Sequence, residues 1–344
     1  MFASGQLMNG PHTVAFESWL AKKNRVPYAV TCHSGTNALE ILAEYYAQTS
    51  TVVTPPRVLI PTLTYMATAN AFMRAGWEVV FVDTDRYGLM DFRKIPDISY
   101  QAVVLVGLYG ASVSTIGDFQ QLYRWEMKDT IIIEDAAQHW LSGDCVRVGE
   151  AGAISFDPMK NLPCYGNGGA VVTSRAEIRD FARAYRDNGK PTYQDIGSNS
   201  RMSELDCALM MLKAAHIDDW QFRRQKIAAY YCEQFAAAGI TTLIDQHNDL
   251  FHAFHKFVIE IDHRDLVQQD LLDLGIETKV HYNQPLHEIG TYRQWLGPDM
   301  LSCASSLARR VLSLPIYPEL TDTEVEYIAN QVIDCVSQRR NSMK

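Results

Sequence analysis

Lys160 lies in "SFDPMKNLPCYGNGG", residues 155–169, between a short apolar run and a cluster of glycines. A turn there can hold the amine inward while the glycine-rich backbone leaves room for a bulky ligand. Desolvation or neighbouring positive charge lowers the pKa of such an amine, and its neutral form attacks an aldehyde. Three other stretches offer complementary chemistry. Ser34-Gly35-Thr36 opens a helical stretch, where unpaired N–H groups, bare glycine backbone and two hydroxyls suit an anion. Asp135, in "EDAAQ", closes an apolar run, and a carboxylate so placed needs a cation or donors beside it. "GSNSRMSELDCAL", residues 197–209, puts Asn199 and Arg201 at the head of a helix. Taken singly, each has an ordinary reading: a helix cap for Ser34 or Thr36, a salt bridge for Asp135, helix entry for Asn199 and Arg201, a solvent-reaching amine for Lys160. Together they supply what pyridoxal 5′-phosphate requires: an amine for the imine, a carboxylate that keeps the ring nitrogen protonated, and an anion seat from Ser34, Gly35 and Thr36 with Ser155. The chain has neither a GxGxxG nor a GxxxxGK[ST] loop for a nucleotide cofactor.

These residues need a frame, and the apolar pattern predicts one. Short β-branched runs recur at 28–32, 57–61, 78–83, 102–107, 130–135, 152–156 and 169–173, several of them apolar throughout, as in strands covered on both faces. Helical stretches alternate with the early runs: "TNALEILAEYYAQ", with Ala38, Ile41, Leu42, Tyr45 and Tyr46 on one stripe, then "MATANAFMRAG" and "STIGDFQQLYRWEMKD". The expectation is an α/β domain with a mainly parallel mixed sheet sandwiched by helices, over residues 1–225. A long helical stretch from 203 leads into a smaller C-terminal α+β domain, 226–344, with strands at 255–262 and 276–282 and a last helix opened by the capping box Thr321-Asp322-Thr323-Glu324. Each of the four chemical stretches falls beyond the C-terminal end of an expected strand, the edge on which open α/β sheets place ligands.

Composition narrows the function. With 344 residues, 47% of them hydrophobic, the chain can bury a sizeable core. A net charge of −9 argues against non-specific binding to nucleic acid or an anionic membrane. Seven cysteines without a CxxC pair suggest neither a zinc ribbon nor a disulfide framework, and the expected setting is a reducing cytoplasm. No metal is expected: His281 and His287 find no third ligand nearby in the sequence.

The ordered blocks "SGTNAL", "IPTLTYMATANAFMRAG", "FVDTD", "LYG", "IIEDAAQH", "SFDPMKN…GNGGAVVT", "NSRMSELDCAL", "RRQKIAAYY", "LGIETKVHYNQPLH" and "LSLPIYPELTDTEV" resemble the DegT/DnrJ/EryC1/StrS family, sugar aminotransferases of fold type I. The resemblance runs from about residue 5 to 335. It implies that Lys160 is the Schiff-base lysine and Asp135 the partner of the pyridine nitrogen, that Gln138 lies near the 3′ oxygen, and that Tyr65 stacks on the ring. Gly35, Thr36 and Ser155 match the phosphate contacts, and Asn199 matches an asparagine that reaches the phosphate from the second subunit of a homodimer. His281, Tyr282 and His287 match a stretch at the substrate entrance. The implied reaction is ping-pong transfer of an amino group from glutamate to a nucleotide-linked keto-deoxysugar. This chain departs from the pattern where "HLYG" reads Gly107-Leu108-Tyr109-Gly110 and "GEGG" reads Gly166-Asn167-Gly168-Gly169, each a loss of a polar group near the expected pocket. The family also usually carries an earlier segment near the substrate site. These departures keep open amination, elimination or decarboxylation of a non-sugar substrate, and a cofactor-binding regulator of low turnover. A subset of the family has histidine for the lysine and dehydrates instead; Lys160 argues against it.

Overall fold

The computed structural model describes all residues except 1–4, 51–54, 114–129, 144, 195, 245–251, 293–300 and 343–344. The helix expected from "STIGDFQQLYRWEMKD" lies outside the described residues.

Among the described residues seven strands form one mixed sheet: β1 (Tyr28–Cys32), β2 (Arg57–Pro61), β3 (Glu78–Val82), β4 (Ala102–Val106), β5 (Ile131–Asp135), β6 (Ala151–Ser155) and β7 (Gly169–Thr173). Their order is β1-β7-β6-β5-β4-β2-β3. Only β7 runs against its neighbours, pairing antiparallel with both β1 and β6. The other six therefore end on one edge, at Cys32, Pro61, Val82, Val106, Asp135 and Ser155. Burial explains the apolar runs, since β4, β6 and β7 are buried along their whole length. One sheet face meets the helix Gly35–Thr49 through Ile41, Leu42 and Tyr46, and the helix Met66–Arg74 through Phe72. The opposite face meets Phe16 and Leu20 of the helix Pro11–Lys23 and Met210 of the helix Glu204–Ala214.

A second sheet, order β10-β9-β8, consists of β8 (Thr241–Thr242), β9 (Phe257–Glu260) and β10 (Val311–Leu314), all antiparallel. Its core gathers Tyr231 and Phe235 with Phe257, Ile259, Val332 and Val336. The capping box forms as its sequence predicts: the Glu324 N–H donates to Thr321 Oγ1 at 3.2 Å, and the Thr321 N–H donates to Glu324 Oε2 at 2.8 Å.

Two expectations change. The long helix from 203 is two helices, Glu204–Ala214 and Ile217–Ala237, parted at Ala215-His216. Lys213 sits in the last turn of the first, and Asp218 and Asp219 in the first turn of the second, where each charge complements the helix dipole. The break lets the first bury Cys207 and Met210 against the large sheet and the second bury Ile227 and Tyr231 against the small one. The strand expected at 276–282 is reduced to a single bridge, Lys279 with Ser313. Beyond it the chain turns back to the large sheet, where the Tyr109 hydroxyl donates to the His281 carbonyl.

Candidate active site

The common edge of the six co-directional strands gathers Lys160, Asp135, Ser155 and the Ser34-Gly35-Thr36 stretch. Lys160 follows β6 in a loop closed at its neck: the Phe156 N–H donates to the Gly168 carbonyl at 2.8 Å, and the Cys164 N–H donates to the Phe156 carbonyl at 2.7 Å. Inside that loop the Lys160 N–H donates to the Asp157 carbonyl at 2.8 Å, a turn that leaves the side chain partly buried. Burial lowers the Lys160 pKa, and the negative charges of Asp135 and Asp157 oppose that shift without cancelling it. An amine depressed in this way can act as a nucleophile and as a base.

Asp135 ends β5 and is buried, 6% exposed. Its Oδ2 accepts from the Thr68 hydroxyl at 2.7 Å and its Oδ1 from the Ala137 N–H at 3.2 Å, and no ion pair forms on it among the described residues. Thr68 lies in the first turn of the helix Met66–Arg74. A buried carboxylate with two neutral donors and, among the described residues, no ion pair is the seat a protonated ring nitrogen would fill.

Ser34 caps the helix Gly35–Thr49, its Oγ accepting from the Asn37 N–H at 3.1 Å. That helix start presses on β6 and β7. A Cβ at Gly35 would stand 2.6 Å from Ser155 Cβ, and a Cβ at Gly169 would stand 2.3 Å from the Ser34 carbonyl group. Glycine at both places therefore lets the helix N-terminus, which carries Ser34 and Thr36, approach the buried Ser155, a cradle of N–H and hydroxyl donors. Ser155 Oγ also accepts from the Asp157 N–H at 3.3 Å, which ties the cradle to the lysine loop. The donor set thus fits pyridoxal phosphate: an amine, a buried carboxylate and an anion seat on one sheet edge.

Gln138 is buried, and its Oε1 accepts from the Tyr109 N–H at 2.8 Å. Tyr109 holds a left-handed backbone, φ 63, a strained conformation for a non-glycine residue. Tyr65, 53% exposed, lies with its ring centroid 6.2 Å from that of Tyr282. Burial raises the Tyr282 hydroxyl pKa, and the negative charge of Asp135 adds to the rise, so the phenol stays protonated at neutral pH. His281 Nδ1 meets Ser313 Oγ at 2.9 Å, and its pKa is pushed down to about 4 by burial and then by the positive charge of Lys256 and Lys160. His287 stands slightly apart, bound to the Thr62 hydroxyl through Nδ1 at 2.7 Å and to Ser305 Oγ through Nε2 at 3.3 Å. Asn199 is exposed; within the chain it meets Arg201 at 2.9 Å and bridges to Asp187 rather than joining the group around Lys160.

Sequence reasoning missed Thr68, although it stands three residues after Tyr65 in "YMAT", the spacing of one helical turn. It also missed the buried trio Glu134, His139 and Cys145, whose ligand-type atoms lie within 4.8 Å of one another. Glu134 accepts there from the N–H groups of Val146 (2.7 Å), Val148 (3.3 Å) and Gly149 (2.9 Å). Those donors give it a structural task, fixing the 145–149 turn.

Known proteins resemble the chain along nearly its whole length. Residues 1–333 match the model of the DegT/DnrJ/EryC1/StrS aminotransferase family. The chain is 32% identical to a Streptomyces venezuelae protein named dTDP-3-amino-3,4,6-trideoxy-alpha-D-glucose transaminase, covering 97% of this chain and 89% of that one. It is 30% identical to a protein of Geobacillus stearothermophilus named pleiotropic regulatory protein, covering 96% and 91%. Among solved structures, DesV from S. venezuelae in complex with a ketimine intermediate superposes with a TM-score of 0.87 at 30% identity, over 97% of this chain and 91% of that one. With a family match across nearly its whole length and the donor set built on the expected sheet edge, the chain belongs to the DegT/DnrJ/EryC1/StrS aminotransferase family.

Proposed function

We propose that this chain binds pyridoxal 5′-phosphate and transfers an amino group from an amino acid, glutamate foremost, to the keto group of a nucleotide-linked keto-deoxysugar. The observation that carries the reading is Asp135, buried without an ionic partner on the same edge as the partly buried, pKa-lowered Lys160. Similarity to named sugar-nucleotide transaminases supports the acceptor class.

When bound, the cofactor supplies an aldehyde for the amine and a protonated ring that draws electrons from the substrate carbon. Lys160 would hold it through its amine and, when that amine is free, would carry the proton at the donor's α-carbon and at the acceptor's carbon. Asp135, oriented by Thr68 and Ala137, would keep the ring nitrogen protonated. Ser34, Gly35, Thr36 and Ser155 would hold the phosphate, Tyr65 would cover the ring, and Gln138 would bind the ring oxygen. His281, neutral at physiological pH, and Tyr282, a protonated phenol, offer hydrogen bonds rather than charge to the acceptor, and His287 lines its entrance. Asn199, turned outward in the single chain, completes a second subunit's phosphate seat in a homodimer. The division into a cofactor domain, 1–225, and a smaller domain, 226–344, belongs to the same proposal, as does a cytoplasmic location. Among the described residues no helix is long and apolar enough to cross a membrane.

Lys160→Ala removes the visible absorption band of the cofactor-loaded protein and all amino transfer; an unchanged band refutes the assignment. Addition of glutamate to the loaded wild type releases one equivalent of oxo acid, and a panel of keto-sugar nucleotides then identifies the acceptor by return of the starting spectrum. Similarity to the pleiotropic regulatory protein favours one other reading, a cofactor-binding regulator. Failure of every amino donor to change the spectrum would select it.

A further inference from the structure

A cavity of about 1010 Å³ opens beside Lys160, walled by the 158–163 turn, the helix Ile217–Ala237 and the segments around Lys256 and Ile316. Part of that wall is positive and unbalanced. Arg224 is 8% exposed and donates to the carbonyls of Phe254 at 3.2 Å and Ile316 at 2.6 Å, while its Nε has no partner. No carboxylate pairs with it among the described residues. Lys256 is partly buried, its backbone N–H bound to the Tyr109 carbonyl at 3.0 Å, and its amine makes neither a hydrogen bond nor an ion pair among the described residues. Two imidazoles share the wall: His255, with Nδ1 at 3.1 Å from Asn161 Oδ1, and His281. The carboxylates bordering the cavity, Glu277, Glu319 and Glu324, are all exposed to solvent, and Glu324 is engaged by Thr321.

Removing cations from water without a counter-charge is costly, and an entering anion would offset that cost. Burial without a counter-charge sets the direction of both pKa values. The Lys256 ammonium is pushed down to about 8 by burial and then by the positive charge of Lys160 and Arg224, with Asp157 opposing. Arg224 is lowered to about 10 by burial, with Glu319 opposing.

We propose that Lys256 and Arg224 form an oxyanion pocket that holds a carboxylate or phosphate of the substrate reacting at Lys160. The substrate's identity rests on the amino-transfer reading above; the binding of an anion does not. Two sources present this chemistry, the side-chain carboxylate of a dicarboxylic amino donor and the phosphates of a nucleotide-linked acceptor.

Calorimetric titration of the cofactor-loaded wild type, Lys256→Met and Lys256→Arg with glutarate, an unreactive dicarboxylate, and with pyrophosphate tests the pocket. The wild type binds at least one of the two. Lys256→Met weakens that binding by at least roughly tenfold, as expected on losing one charge-assisted hydrogen bond, and Lys256→Arg restores it. Preference for glutarate assigns the donor, and preference for pyrophosphate the acceptor. Binding of neither anion by the wild type, or equal affinity in wild type and Lys256→Met, overturns the proposal. Lys256→Gln replaces Lys256→Met if the latter loses its cooperative unfolding transition. Anion binding in a protein that transfers no amino group would sink the functional reading and leave the pocket standing; transfer with unchanged anion affinity would do the reverse.

Discussion

Gly35→Ala tests the cradle directly, because the geometry sets its cost. The new Cβ would stand 2.6 Å from Ser155 Cβ and 3.1 Å from both Ser155 Cα and Oγ, whereas ordinary contact begins at 3.4 Å. The two surfaces must separate by about 0.8 Å, and no rotamer relieves the clash because Ser155 Cβ is fixed to the backbone of β6. β6 is held on both sides by β5 and β7, so the displacement falls on the helix start. Overpacking of this kind costs about 1–3 kcal/mol. Loss of alignment between a bound phosphate and one or two N–H donors weakens its affinity by roughly ten- to a hundredfold. Thermal unfolding of the cofactor-free protein reads the first effect, and absorbance titration with pyridoxal phosphate reads the second. Ser155→Gly added to Gly35→Ala removes the clashing atom and returns the melting temperature toward the wild type. A Gly35→Ala protein that melts and binds cofactor like the wild type would refute the close approach and with it the cradle.

Further outcomes follow from the other buried carboxylates. Asp135→Asn keeps the shape of the side chain but removes its charge, so bound cofactor persists while amino transfer falls by about a hundredfold or more; half-reaction rates with glutamate check this. Glu204 is buried at the head of its helix and accepts from the N–H groups of Gly10 (2.9 Å), His12 (2.6 Å) and Thr13 (3.0 Å) and from the Thr13 hydroxyl (2.6 Å). Burial alone would raise its pKa, but those hydrogen bonds outweigh burial and hold it below the ordinary 4.5. A depressed folded-state pKa gives stability that is present above pH 4.5 and lost as the pH falls through the folded value. Glu204→Gln therefore destabilises by about 1–3 kcal/mol at neutral pH and flattens that part of the acid-unfolding curve. Urea unfolding at a series of pH values measures both effects.

The large sheet was legible because its strands are covered on both faces: "AVVLV", "AGAIS" and "GAVVT" are buried at every position, and continuous apolar runs are what such burial demands. The reversed direction of β7 was not legible, since nothing in "GAVVT" distinguishes a parallel from an antiparallel strand. Lys160, Asp135 and Ser34-Gly35-Thr36 stood out because strand ends on one edge converge whatever the details of packing. Thr68, Arg224 and Lys256 did not, because their meaning lies in contacts made across the fold: Arg224 reads as one of several charges on a long helix until Phe254 and Ile316 close over it. The stretch 276–282 alternates like a strand, yet the pull of the 281–282 segment toward Tyr109 and Tyr65 leaves a single bridge.

The pairing of β1 with β7 bears on how the molecule comes into being. Among the described residues β1 is an edge strand whose sole neighbour is β7, with Tyr28 opposite Thr173. Closing so long a loop before any ladder bond can form is entropically slow, and contacts of such sequence separation govern folding rate. A chain emerging from the ribosome must therefore wait for Thr173 before Ser34 and Gly35 can dock on Gly169, so ligand capture should mark the late, closing event of the large sheet's assembly.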